Sequence, residues 1–235
     1  VWRELAPQSE EASQALIGLL IANGRADEAK QSLAQQLAAS TPENLPAAIV
    51  AVQRQLGRMT DRKRGTALLR ELLEPYRDSL EAQLTLAQTA MVSGERALAL
   101  TEARAALAKH PASEAAALTL AQIIEDKAES ATVLADFLKM NPKAREVRLA
   151  YSRMLFEQNR VADARAEFET LLQQNPNDQT TLYALGLLSV QGGDLPSAEK
   201  YLSAYIATLD GQPDRERDAS QALLVLAQIA EERND

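Results

Sequence analysis

The stretch Leu182–Leu202, LYALGLLSVQGGDLPSAEKYL, decides how this chain is read. It begins as a helix-forming run, stops at Gly192-Gly193-Asp194, and resumes as a second amphipathic run. No strand precedes the two glycines and no Lys-Ser/Thr pair follows them, so they do not form a phosphate cradle. They read instead as the turn of a helical hairpin. Pro196 falls in the first turn of the second helix, where a missing N–H costs little. A lone hairpin has almost no core, so this one needs neighbours to cover its apolar faces.

The prolines show what those neighbours are. Seven fall at positions 7, 42, 75, 111, 142, 176 and 213, separated by 35, 33, 36, 31, 34 and 37 residues. Each follows an apolar-periodic stretch, and proline ends a helix because it lacks the N–H and clashes with the preceding turn. A spacing near 34 marks an internal repeat. Tyr151-Ser152-Arg153 and Leu185-Gly186-Leu187 are 34 apart, as are Leu86-Ala87-Gln88 and Leu120-Ala121-Gln122, and Leu-Ala-Gln returns at Leu226. Turns follow at Asn23-Gly24-Arg25, Ser93-Gly94-Glu95, Gln158-Asn159-Arg160 and Gly192-Gly193-Asp194. Five residues past each turn Gly or Asn stands an alanine (Ala29, Ala99, Ala164, Ala198), and four further on stand Leu33, Ala103, Phe168 and Leu202.

Each feature has a physical reason. Gly or Asn supplies the left-handed residue that closes a helix C-terminus. A small residue on the first helix (Ala87, Ala121, Gly186, Ala227) lets its partner approach closely, so that Leu182, Leu185 and Ser189 face Ala198 and Leu202. A helix–turn–helix of about 34 residues, with small residues at the eighth and twentieth positions and proline near the thirty-second, resembles the tetratricopeptide repeat (TPR). The best matches are Arg145 to Asp178 and Gln179 to Asp210, with Leu80 to Pro111 close behind. The aromatic often found at the fourth position is replaced by Gln83, Arg148 and Leu182. The repeat from Glu114 to Pro142 is three residues short, a loss assigned to the turn at Glu125-Asp126-Lys127, and Pro42 to Pro75 matches least, with Gly57 and Gly65 placed unlike the others.

The resemblance implies an all-α fold, a right-handed superhelical solenoid of about six antiparallel hairpins plus a trailing helix. One array is expected over residues 1–235, with repeats at 10–42, 43–75, 80–111, 114–142, 145–178, 179–213 and a partial one at 219–235. In that last repeat Ala219 to Arg233 aligns with a first helix and Glu232-Arg233-Asn234-Asp235 with a turn. The apolar stripe of Leu223, Leu226 and Ile229 expects a neighbour, so a longer array is expected, and a start at Val1 suits a mature or excised segment.

Composition agrees and narrows the function. Ala, Leu, Gln, Glu and Arg, the good helix formers, dominate, and alternating β-branched runs are missing. A formal charge of −8 disfavours nucleic acid, which needs a basic face. The densest basic cluster, Arg58, Arg62, Lys63 and Arg64, reads as a solvated turn or, alternatively, a docking patch for an acidic partner. The absence of cysteine removes disulfides, thiolate nucleophiles and Cys-ligated zinc. The longest apolar run, Ala15 to Ala22, falls far below the roughly 20 residues of a membrane span.

A catalytic reading has no residue set to rest on. The single histidine, His110, sits beside Pro111 at a helix end, where a cation is favoured by the helix dipole. Glu125-Asp126, Glu169 and Glu231-Glu232 are spaced as solvated faces rather than as a metal-binding loop. The expectation is a non-enzyme with no cofactor and no metal. The site that remains is the inner face of the first helices, which the resemblance places along a groove. Its candidate peptide-binding residues are Leu84, Gln88 and Met91; Leu118 and Gln122; Leu149, Arg153 and Phe156; Tyr183 and Leu187; and Leu224 and Gln228. Apolar side chains there would give affinity to an extended or helical peptide, and glutamine amides would pair with its backbone. Some TPR proteins clamp a partner's terminal carboxylate with Lys, Asn and Arg; here Arg153 is the sole cation among these positions.

The expected function is therefore a protein-interaction scaffold or adaptor with a protein or peptide partner. The Ala-, Gln- and Arg-rich composition with degenerate repeats resembles bacterial envelope lipoproteins that present substrates to a protease or secretion machine. That resemblance implies the periplasm or envelope, with the cytoplasm as the alternative. Two other readings stay open: a module that oligomerises through the apolar ends of its array, and an accessory interaction domain of an enzyme.

Overall fold

The computed structural model describes residues 10–210 and 214–234; Pro7, Pro213 and Asp235 of the sequence pattern lie outside them. The described residues form thirteen α-helices and no strand. In chain order these are α1 (Glu10–Ala22), α2 (Ala26–Ala38), α3 (Leu45–Leu56), α4 (Arg62–Leu73), α5 (Leu80–Val92) and α6 (Arg96–Lys109). They continue with α7 (Glu114–Ile123), α8 (Lys127–Met140), α9 (Arg145–Glu157), α10 (Val161–Gln174), α11 (Gln179–Gln191), α12 (Leu195–Thr208) and α13 (Arg215–Asn234). They make six hairpins, α1/α2 to α11/α12, and one trailing helix, the all-α repeat architecture implied by the sequence. The contacts divide the chain into two compact units, residues 1–133 and 134–235, with the division inside α8.

Four hairpins turn in the same way. Gly24, Gly94, Asn159 and Gly193 have φ of 71°, 78°, 60° and 71°, the left-handed conformation anticipated at these positions. The next N–H reaches back to close the first helix: Arg25 N to Leu20 O at 2.8 Å, Glu95 N to Ala90 O at 2.8 Å, Arg160 N to Leu155 O at 2.9 Å, and Asp194 N to Ser189 O at 2.8 Å. Five residues on, Ala29, Ala99, Ala164 and Ala198 are all fully buried, and Leu33, Ala103, Phe168 and Leu202 are at most 3% exposed. Leu182, Leu185 and Ser189 are buried with them. Burying a leucine such as Leu185 or Leu202 contributes roughly 1.5–3 kcal/mol, and in a repeat fold that contribution recurs at each hairpin.

The two irregular repeats differ for identifiable reasons. In the short one, α7 has 10 residues where α5, α9 and α11 have 13, so one helical turn is missing before Glu125. Ser130 Oγ donates to Ala121 O at 2.7 Å across this hairpin. In the repeat from 43 to 75 the turn Gly57–Asp61 is longer and has no left-handed residue; Gly57 caps α3 at φ −62°. Gly65 lies inside α4, and a Cβ there would stand 3.2 Å from Leu56 O, so this glycine lets α4 approach the end of α3. At the far end, Glu232, Arg233 and Asn234 continue α13 as helix where the repeat alignment places a turn. The run lacks the glycine that closes the other first helices, and Glu and Arg propagate helix well.

Within the first unit, one core cluster joins α1 to α5 through Ile17, Leu33, Ile49, Leu68 and Leu86. A second joins α5, α6 and α7 through Ala87, Ala90, Ala99, Ala103 and Leu120. In the second unit, Leu149, Phe168, Leu171, Leu185 and Leu188 join α9, α10, α11. Two Arg–Asp latches tie its repeats together. Asp178 caps α11 by accepting from Thr181 N at 2.9 Å, and its other oxygen accepts from Arg145 Nε at 2.9 Å. Asp194 caps α12 through Ser197 N at 3.2 Å and accepts from Arg165 Nη2 at 3.0 Å. Each latch joins a helix start to the equivalent helix of the repeat before.

Candidate functional site

The first helices of the hairpins, α1, α3, α5, α7, α9 and α11, each pack against a hairpin partner, whereas the trailing α13 packs on α12. The twelve candidate groove residues fall into three groups on those helices. Leu84 and Leu149 are core residues, each 7% exposed: Leu84 packs with Ala106 and Ala116, and Leu149 with Phe168 and Leu185. At these two positions the fifth residue of the repeat fills a seam between helices. Met91, Leu118 and Tyr183 are half-buried, with Met91 resting on the Ala87–Ala99 cluster. Gln88, Gln122, Arg153, Phe156, Leu187, Leu224 and Gln228 are exposed.

In the second unit the exposed group presents apolar area. Phe156 on α9 is 40% exposed, Leu187 on α11 39% and Leu224 on α13 62%; most large apolar side chains of this fold are buried. Arg153, one helical turn before Phe156, forms no ion pair among the described residues. Tyr183 is held in place from two sides. Its hydroxyl donates to Gln221 Oε1 at 2.9 Å, and its ring lies 5.1 Å from that of Tyr205, tilted by 49°. Two of its edges are thus committed.

The first unit holds a concavity that the groove positions above do not include. A cleft of about 310 Å³ opens between α1 and α3, lined by Gln14, Gly18, Ile21, Ala51, Arg54, Gln55 and Arg58. Glutamines tie its walls: Gln55 Nε2 donates to Gln14 Oε1, and Gln14 Nε2 donates to Gln36 Oε1 at 3.3 Å. Gln55 Oε1 is buried with no hydrogen-bond partner. A buried acceptor left unpaired costs about 1–3 kcal/mol. Arg54 and Arg58 stand exposed at the rim with no ion pair among the described residues. Gly18 forms part of the wall, and a Cβ at that position would meet nothing within 4 Å.

The chemistry is that of binding. Two guanidiniums without an ion pair among the described residues, beside the apolar Ile21 and Ala51, can hold a segment that carries a carboxylate. Among the described residues, no three His, Asp or Glu side chains gather as a metal site, and no helix is long and apolar enough to cross a membrane. Arg58 belongs to the basic cluster visible in the sequence. Arg54 and Gln55 gave no such signal, because the second repeat's turn has no left-handed residue to set its register.

Comparison with known proteins agrees with this architecture. The tetratricopeptide repeat family matches residues 124–179 and 155–214. No curated protein sequence matches the chain significantly. Among solved structures it is similar to PilF of Pseudomonas aeruginosa (TM-score 0.56, 20% identity, covering 80% of this chain and 86% of that one). It is also similar to MamA of Desulfovibrio magneticus RS-1 (TM-score 0.54, 12% identity, 72% and 97% covered). A third is YrrB, described as a TPR protein with an unusual peptide-binding site (TM-score 0.50, 15% identity, 74% and 91% covered). At these identities the likeness is one of fold. Hairpins, left-handed turn residues and buried alanines at the repeat's spacing give the chain a tetratricopeptide-type fold, and that family's model matches it within residues 124–214.

Proposed function

We propose that the chain is a non-catalytic interaction scaffold that holds an acidic polypeptide segment on its first-helix faces. The observation that carries this reading is the α1–α3 cleft, which Arg54 and Arg58 line together with Gln14, Gln55, Ile21 and Ala51. An acidic side chain would pair with the guanidiniums. The exposed Phe156 and Leu187, with Arg153 between turns of α9, give the second unit a separate face of the same kind, since aromatics and arginine are favoured anchors at interfaces. The fold likeness to a TPR protein described as having a peptide-binding site supports the class of function. Within that class, the resemblance to bacterial envelope lipoproteins favours an adaptor of envelope assembly, secretion or proteolysis.

Affinity capture from a lysate of the source cells, run in parallel with wild type and variants, tests this reading. Arg54→Glu/Arg58→Glu and Phe156→Ala/Tyr183→Ala should each deplete the captured partner while leaving helicity intact. A partner retained equally by all three proteins would sink the proposal. Loss in high salt alone, with both variants binding normally, would point to non-specific charge attraction.

A further inference from the structure

Asn23-Gly24, in the turn of the first hairpin, is the one place in the sequence where glycine follows asparagine. The other asparagines precede Leu45, Pro142, Arg160, Pro176, Asp178 and Asp235. The order matters because the backbone nitrogen after an asparagine can attack the side-chain amide carbon. Glycine leaves that nitrogen unhindered and its own backbone free to turn toward the amide. Proline has no N–H to lose, and a side chain such as that of Leu45 or Arg160 crowds the approach. Asn23, Gly24 and Arg25 are all exposed, so water reaches the reacting atoms.

The fold engages both reacting groups. Asn23 Nδ2 donates to Leu19 O at 2.7 Å, which turns the amide back toward α1. Gly24 N donates to Ile21 O at 3.1 Å, and Arg25 N closes the helix on Leu20 O at 2.8 Å, with Gly24 left-handed at φ 71°. Gly24 N cannot keep its bond to Ile21 O and also attack Asn23 Cγ, so the last turn of α1 must open first. The other left-handed turns lack this pair: Gly94 follows Ser93, Gly193 follows Gly192, and Asn159 precedes Arg160.

We propose that Asn23 is a site of spontaneous deamidation, gated by opening of the last turn of α1. Gly24 N bonds to Asn23 Cγ as the Cγ–Nδ2 bond breaks. The proton of Gly24 N leaves with the side-chain nitrogen as ammonia, and a cyclic imide remains. Water then opens the ring at either carbonyl, giving aspartate or isoaspartate. Either product replaces the donor to Leu19 O with a carboxylate and sets negative charge at the negative end of the α1 dipole. Isoaspartate also lengthens the main chain within the turn by one carbon. Both products disfavour reclosure, so brief openings accumulate as a permanent change in the first hairpin. The inference does not depend on what the α1–α3 cleft binds.

The test ages the whole chain in warm, mildly alkaline buffer, with and without urea, and follows each asparagine by peptide mapping and mass spectrometry. In urea, Asn23 should deamidate faster than every other asparagine. In the native chain it should react at least about tenfold more slowly, because three hydrogen bonds must open first. Ile21→Val trims a buried side chain of that turn, and should speed the native reaction about two- to tenfold while leaving the urea rate unchanged. Circular dichroism checks that this variant stays folded. Asn23→Gln, which would have to close a larger ring, should stay unmodified over the same period. Asn23→Asp, which carries the product's charge, should lower the urea midpoint. Equal rates with and without urea, or a native Ile21→Val rate matching wild type, overturn the gating. Absence of reaction at Asn23 in urea overturns the site itself.

Discussion

A Cβ on Gly186 of α11 would lie 2.5 Å from Leu202 Cδ2 and 2.6 Å from its Cγ, so α12 rests on a position that admits only hydrogen. Leu202 is fully buried and cannot swing aside. Two effects oppose each other in Gly186→Ala. The helix gains up to about 1 kcal/mol in propensity, while overpacking a closed core costs about 1–3 kcal/mol. The clash should win, with net destabilisation of about 1–2 kcal/mol in urea unfolding. In a Leu202→Ala background the contact disappears, and Gly186→Ala should become neutral or stabilising. A destabilisation of equal size in both backgrounds would show that Leu202 is not the cause.

The left-handed turn residues predict a second asymmetry. Gly193, at φ 71°, and Asn159, at φ 60°, occupy the same place in consecutive repeats. Gly193→Ala should cost about 1–2 kcal/mol, the steric penalty of an L side chain in that region. Asn159→Gly should be neutral or slightly stabilising, because it relieves what Asn tolerates. The denaturant midpoint should therefore fall for Gly193→Ala and hold or rise for Asn159→Gly; a fall in both would contradict the turn assignment.

These two positions also show why the fold was legible and the site less so. Gly24, Gly94, Asn159 and Gly193 announce themselves because a left-handed residue is a local demand that one or two residue types meet. Ala164 and Ala198 follow at fixed distance because helix geometry fixes what faces the turn. The α1–α3 cleft depends on something non-local: how far apart two helices from different repeats stand, and whether Gly18 leaves space between them. Leu84 and Leu224 make the same point. They share a register and a sequence run, yet one is buried and the other exposed, because exposure is set by whether another helix arrives. The third occurrence of Leu-Ala-Gln was visible in the sequence; what covered it was not.

Acid should weaken the second unit through its latches. Burial pushes the Asp178 carboxyl up, but Arg145 and the N–H of Thr181 outweigh it and hold it below the ordinary range. Asp194 is lowered as well, through Ser197 and Arg165. A depressed carboxylate stabilises the fold fully above its unfolded value of about 3.9, and that contribution is lost as pH falls through the lower folded value. Wild type should therefore lose stability below about pH 4 more steeply than Asp178→Asn, with the two converging in strong acid. Near neutral pH the variant should be less stable by about 1–2 kcal/mol. Parallel pH profiles would remove Asp178 from the account.

Gly18 separates stability from binding. It lies within α1, where glycine costs roughly 0.5–1 kcal/mol relative to alanine. No packing requires it, since a Cβ there would meet nothing within 4 Å. What its missing side chain does is keep the wall of the α1–α3 cleft open beside Gln55 and Arg54. Gly18→Ala should accordingly raise stability by about 0.5–1 kcal/mol with little change in partner capture. Gly18→Leu should fold equally well but fill the cleft and lower capture, as Arg54→Glu/Arg58→Glu does by charge. The pair is diagnostic because its two members share a favourable effect on the helix and differ only in the volume placed in the cleft. Undiminished capture by Gly18→Leu would show that the cleft is not where the partner binds, whatever the charge variants do.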